Sequence, residues 1–195
     1  GGRFRNAFVV NSLCAPSRAT FMTGQYGHRN GVVNNHTPFP LDHVTHASLL
    51  KKAGYATGYV GKWHMGSQPE RPGFDFSASF VGQGVYFDCP ILVNGEKTPS
   101  KGWVDDVSTD YAEQFVRAHT NTPFLLCIGY KATHGPFDPP ARRKDEYANE
   151  EARAVPNLGH PAIYRGGEEG AGRAASDKVR TNLGYFRCIA AADDN

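Results

Sequence analysis

The sequence predicts an α/β fold in which a mostly parallel sheet is flanked by helices. Three stretches carry that expectation. Residues 55–60 read Tyr-Ala-Thr-Gly-Tyr-Val, a strand-forming run that stops at Gly61-Lys62. Val107, Tyr111, Phe115 and Ala118 recur at helical spacing and place an amphipathic helix behind Asp105 or Asp106, either of which could cap it. Residues 124–130, Phe-Leu-Leu-Cys-Ile-Gly-Tyr, are continuously apolar, as a buried parallel strand requires. Strand, crossover helix and strand make a βαβ unit.

The remaining elements follow in chain order. Residues 4–10 form a short extended lead-in. Cys14-Ala15-Pro16-Ser17-Arg18 then opens a helix, because Pro16 suits the first turn, where its missing N–H costs nothing, and Gly24 suits the left-handed residue that closes it. Cys14 therefore lies at a helix N-terminus, where free N–H groups and the dipole favour an anion. Arg18, one turn later, adds a fixed positive charge. Cys14 so placed reads as a nucleophile beside a site for a tetrahedral oxyanion.

Residues 27–36 are a polar, turn-rich loop that either lines a pocket or simply uses Asn and Gly for turn geometry. Thr45 is a candidate cap for a helix over residues 45–52 that stops at Gly54. Lys62 and His64 fall just beyond the carboxyl end of the first strand, the edge at which open α/β sheets bind ligands. Residues 66–104 are expected to be a β-rich excursion. Within it Asn94-Gly95 signals a two-residue hairpin, and Phe76, Phe80, Tyr86 and Phe87 are read as packing.

His134 follows the second strand and so reaches the same sheet edge as Lys62 and His64. The other histidines, His28, His36, His43, His46, His119 and His160, read as structural. Residues 139–176 look like a surface excursion with solvated charges, and Asp177 starts a last helix through Val179, Leu183, Phe186 and Ala190.

Composition narrows the function. At 195 residues and 39% apolar content the chain can fill one ordinary domain with a core. A net charge of +2, with basic residues scattered, argues against nucleic acid and against a membrane surface. No apolar run approaches the roughly 18 residues of a membrane span. The four cysteines, Cys14, Cys89, Cys127 and Cys188, show no C-x-x-C spacing, which argues against structural zinc, and Cys127 reads as packing. Because the chain opens on Gly1-Gly2-Arg3 and stops inside a helical pattern, it is expected to be a fragment.

Two motifs carry a family resemblance. Residues 14–18 match C-x-P-S-R, and Gly61-Lys62-Trp63-His64-Met65-Gly66 follows in the expected order. Each fixed letter costs chance roughly twentyfold at average usage. The chain resembles the type I sulfatases, the formylglycine-dependent enzymes of the alkaline-phosphatase-like superfamily. That resemblance implies a partial sandwich of that superfamily, with residues 1–195 a fragment of a single catalytic domain.

The resemblance further implies that Cys14 is converted to formylglycine by a maturation enzyme and becomes both nucleophile and metal ligand. Arg18 would steady the hydrated aldehyde, Lys62 and His134 would hold sulfate, and His64 would help deprotonate the hydrate. Protonation of the leaving group falls to Lys62 or His134. Calcium is the implied metal, yet the family's aspartate pair, its later Asp-Asn pair and a nearby lysine have no counterpart here. The fragment alone is therefore expected to be inactive. Asp194-Asn195 reads as a helix end rather than as that metal pair.

Residues 32–35, 82–88 and 134–137 are similar to bacterial sulfatases acting on sulfated sugars, including N-acetylglucosamine-6-sulfate. A sulfated carbohydrate is the implied substrate, and the periplasm or exterior the implied location. Two other readings stay open: a formylglycine-dependent phosphonate or phosphate ester hydrolase, and a non-catalytic remnant.

Overall fold

A computed structural model describes residues 4–152 and 183–195. The chain divides into two units, residues 1–131 and 132–195. The first unit holds helices α1 (Cys14–Thr23), α2 (Gly27–Asn30), α3 (His46–Lys52) and α4 (Val104–Ala118). Its strands are β1 (Ala56–Lys62), β2 (Phe76–Phe80), β3 (Ile91–Val93), β4 (Glu96–Thr98) and β5 (Phe124–Gly129). The strand order is β4-β3-β2-β1-β5.

Strand β1 is the axis of this sheet. It runs parallel to β2 on one side and to β5 on the other, with Gly58 opposite both Phe76 and Leu126. The expected βαβ unit is thus β1-α4-β5, but β5, expected to be buried, is an edge strand whose residues are only partly buried or exposed. Strands β3 and β4 add an antiparallel hairpin at the far side, turning at Asn94 (φ 49°) and Gly95 (φ 91°). Both positive φ values belong to the turn type that Asn-Gly favours. Residues 66–104 therefore supply three of the five strands.

Successive residues of β1 face opposite sides of the sheet. On one side Tyr59 joins a core of Ala15, Ala19, Met22, Val32, Phe39, Trp63 and Met65, which seats α1 against the sheet through its small residues. Facing the other side, Gly58 lies under α4, and a Cβ there would stand 2.8 Å from the Phe115 ring. Gly58→Val is accordingly expected to destabilise the protein by about 1–3 kcal/mol through overpacking. Chemical denaturation checks this, with a shifted midpoint and an unchanged slope.

Helix α3 starts as anticipated: Thr45 Oγ1 accepts from Ser48 N at 3.0 Å and Ser48 Oγ accepts from Thr45 N at 2.9 Å. This reciprocal pair satisfies two of the first-turn donors. Helix α4 differs from expectation. Trp103 holds its N-cap position without a side-chain cap bond, and Asp105 and Asp106 lie inside the first turn. Asp105 is fully buried, and its carboxylate accepts from Lys131 N at 2.7 Å. A carboxylate in the first turn gains from the dipole as well, so tertiary structure recruits the residue that local chemistry would have used as a cap.

In the second unit, residues 141–143 form a 3-10 turn and α5 spans Gly184–Asp193. The predicted last helix is thus present over that span, whereas residues 177–182 lie outside the described residues. Arg142 and Arg143 both bond the Asp194 carboxylate, with Arg142 Nε at 2.9 Å, and together they hold it well below the usual carboxylate range. Asp194 therefore serves as an ion-pair partner. No helix among the described residues is long and apolar enough to cross a membrane.

Candidate active site

The site is built where α1 meets the carboxyl end of β1. Cys14 is the first residue of α1, and the next N–H, from Ala15, donates to Asn35 Oδ1 at 2.9 Å. Residues 27–36, expected to be a loop, begin with the short helix α2 (Gly27–Asn30), and through Asn35 this polar segment holds the start of α1. Gly24 closes that helix in the left-handed region (φ 66°).

Lys62 is the last residue of β1, one position earlier than a place beyond the strand end. Only 2% of it is exposed, and its Nζ stands 3.8 Å from Cys14 Sγ and 2.5 Å from Gln83 Oε1. Burial lowers its pKa to about 8; Cys14 opposes that shift, while the like charges of Arg18 and Lys131 reinforce it.

Arg18 acts on the backbone of the same residue. Its Nη1 donates to the Lys62 carbonyl at 2.6 Å, and the Tyr59 hydroxyl donates to that oxygen at 2.5 Å. Two donors on one carbonyl lock the end of β1 against α1. Gly129 of β5 makes the approach possible, since a Cβ there would lie 2.9 Å from Arg18 Nη1 and 3.0 Å from the Lys62 oxygen. Burial raises the Tyr59 pKa and so keeps the donor protonated.

His64 follows two residues later, half-buried and with φ 50°. A non-glycine residue in that region is uncommon and concentrates at functional sites. His134 belongs to the second unit, where its Nδ1 is 2.8 Å from the Gly135 carbonyl. Of the residues picked from sequence, Cys14, Arg18 and Lys62 are therefore brought into one cluster, with His64 beside Lys62 in the chain.

Sequence reasoning assigned no role to Gln83, Lys131 or Asn35. Lys131 Nζ donates to the Gln83 backbone oxygen at 2.9 Å and lies 4.8 Å over the Tyr86 ring. Asn35 and Gln83 fall in the segments 32–35 and 82–88 that carry the likeness to sugar sulfatases, but nothing local assigns a role to either or to Lys131, since their partners lie 20 to 48 positions away. Cys127 does pack, half-buried against the α1 core, with its thiol pKa raised by burial.

A cavity of about 980 Å³ runs along β5 and shares Arg18 and Tyr59 with this cluster, with Phe21, Met22, His46 and Cys127 also in its lining. Among the described residues no group of three or more His, Cys, Asp or Glu side chains could hold a metal ion.

The Sulfatase family model matches residues 1–195. The chain is 36% identical over 182 residues to an N-acetylglucosamine-6-O-sulfatase of Bacteroides thetaiotaomicron, covering 91% of this chain and 31% of that protein. It is 30% identical over 183 residues to an ulvan-active sulfatase of Formosa agariphila, covering 85% and 35%. The chain thus spans about a third of the length of these curated relatives.

Among solved structures, one in complex with its substrate D-glucosamine-2-N,6-O-disulfate superposes with a TM-score of 0.74 at 36% identity, covering 80% of this chain and 32% of the other. A Bacteroides fragilis protein at 19% identity superposes with a TM-score of 0.75, covering 98% and 48%, and speaks for the fold alone. A family match that runs the length of the chain, with one motif at the start of α1 and the other at the carboxyl end of β1, places this chain in the sulfatase family, among the type I sulfatases of the alkaline-phosphatase-like fold.

Proposed function

We propose that the protein containing this chain hydrolyses sulfate monoesters of a sulfated carbohydrate, with Cys14 matured to formylglycine as its nucleophile. The observation that carries the reading is the buried Lys62 ammonium, 3.8 Å from Cys14 Sγ at the N-terminus of α1. A sulfate ester spreads negative charge over its oxygens, so catalysis consists largely of positioning and preorganised positive charge.

Cys14 suits the modification by its place: half-buried, first in its helix, beside a cation. Hydrated formylglycine supplies two hydroxyls on one carbon, one to attack sulfur and one whose collapse expels sulfate, which neither thiol nor serine can supply. Lys62 binds a sulfate oxygen and orients the ester. Arg18 and Tyr59 hold the strand end that carries Lys62, and Arg18 places a second positive charge near the helix start. By family resemblance His134 is the second sulfate contact, His64 takes the hydrate proton, and the leaving oxygen receives its proton from Lys62 or His134.

Calcium takes six to eight oxygen ligands. The described residues offer it Cys14, as formylglycine, and no cluster beyond. The described residues do not fit the ion by themselves, and the other ligands are assigned, by the family resemblance, to residues outside this sequence. Residues 1–195 alone are expected to release no sulfate.

An amino-sugar 6-sulfate is the favoured substrate, because a relative is named N-acetylglucosamine-6-O-sulfatase and a similar solved structure holds D-glucosamine-2-N,6-O-disulfate. A formylglycine-generating enzyme is the maturation partner, and a periplasmic or secreted location accords with the resemblance. The test compares sulfate release from N-acetylglucosamine-6-sulfate with phosphate release from the matching phosphate ester, using matured full-length protein. Preferential sulfate release supports the reading. Preference for the phosphate ester, or no turnover with Cys14 fully converted, contradicts it.

A further inference from the structure

We propose that Gln83 is a positioning residue of this site, held in place by Lys131, and that it fixes the Lys62 ammonium beside residue 14 without cancelling its charge. The inference rests on the sulfatase reading and deepens it. A lysine ammonium is a point charge on a flexible four-carbon stem, and nothing in the stem itself chooses one position for it. Here the choice is made by a neutral acceptor: Gln83 Oε1 takes a hydrogen bond from Lys62 Nζ at 2.5 Å.

A carboxylate at that place would form an ion pair and compete with sulfate for the same cation. An amide oxygen directs one N–H and leaves the full positive charge for the anion. Of the three ammonium donors, one points to Gln83 and one lies toward Cys14 Sγ at 3.8 Å.

Gln83 is itself braced. It sits between Gly82 and Gly84, each at φ 61°, in a turn folded tightly over Phe80, whose ring would stand 2.5 Å from a Cβ on Gly84. Lys131 Nζ donates to the Gln83 backbone oxygen at 2.9 Å, and this lysine is only 3% exposed. Its own backbone N–H is tied at 2.7 Å to the buried Asp105 carboxylate at the start of α4, and its ammonium lies 4.8 Å over Tyr86. One connected path therefore runs from Asp105 through Lys131, Gln83 and Lys62 to Cys14, and it joins α4, the end of β5, the 82–86 turn, β1 and α1.

The experiment uses matured full-length protein, with conversion of Cys14 confirmed by mass for every variant. Gln83→Leu keeps the bulk and removes the acceptor. It is expected to lower kcat by roughly a hundredfold, the cost of misplacing a reacting group by about 1 Å. KM should stay within about threefold, as for loss of an interaction that matters in the transition state.

Gln83→Glu keeps the acceptor and adds the charge, so it should instead weaken inhibition by inorganic sulfate and raise KM by about tenfold or more, an ion pair now competing with the anion. Lys131→Met should reproduce the kcat loss, and the double variant Gln83→Leu with Lys131→Met should be no worse than Gln83→Leu alone, since both act on one path. Wild-type kcat in Gln83→Leu, a loss that follows a lowered Tm, or additive losses in the double variant would each overturn the proposal.

A wild-type protein that releases no sulfate from any ester defeats the functional reading alone. Crystal structures of wild type and Gln83→Leu then decide the positioning role without turnover. A Lys62 ammonium displaced by about 1 Å or more supports the role, on the same misplacement scale, and an unmoved one overturns it.

Discussion

Cys14→Ser in the full-length protein is expected to convert a turning-over hydrolase into one that releases about one equivalent of alcohol per protein and then stops. The reason is the count of oxygens at the nucleophile. Serine offers one hydroxyl, which can attack sulfur, but its carbon carries no second hydroxyl to collapse and expel sulfate. The helix N-terminus and the Lys62 ammonium remain, so binding and the first displacement survive. Steady-state turnover should fall by roughly 10⁴ to 10⁶-fold, the scale seen when a nucleophile is removed. The intact mass should then show a sulfated enzyme. Sustained turnover by this variant would mean that the second hydroxyl is dispensable, and the mechanism proposed here would fail.

Lys62→Met is the second large effect. It removes the cation proposed to hold sulfate and should lower kcat/KM by about 10² to 10³-fold, the scale for a lost preorganised donor. Stability should move the other way or not at all. Lys62 is 2% exposed, so the folded protein bears the cost of keeping this charge out of water, and the same burial lowers its pKa to about 8. An apolar side chain of similar length removes that cost. Kinetics together with Tm therefore separate this variant from a merely disruptive one, in which both would fall.

The parts of the fold legible in the sequence are those fixed by local chemistry. Pro16 and Gly24 bracket α1, Thr45 caps α3, and Asn94-Gly95 turns the β3-β4 hairpin, each through backbone preferences of the residues themselves. Strand β2 was not legible as a member of the sheet. Its sequence, Phe-Ser-Ala-Ser-Phe, lacks β-branched residues, and its state comes from pairing with β1. Its buried serines find distant partners: Ser77 N donates to Asn94 Oδ1 at 2.8 Å, and Ser79 Oγ accepts from Arg71 Nε at 2.9 Å.

The same division holds in the site. Cys14, Arg18 and Lys62 lie inside motifs, and their chemistry at a helix start and a strand end could be argued from position. Gln83 and Lys131 enter through contacts 21 and 48 residues long, which no local pattern encodes. Asp105 shows how such contacts override local reading, because a residue suited to capping α4 is used to hold Lys131.

The central claim is that residue 14 is a formylglycine in the working protein. Peptide mass spectrometry of the segment containing Cys14, from full-length protein made together with a formylglycine-generating enzyme, tests it most directly. The account predicts a peptide about 18 Da lighter than the cysteine form, the difference between a CH2–SH and a CHO side chain at the nucleophile. An unmodified thiol at Cys14 under those conditions would contradict it.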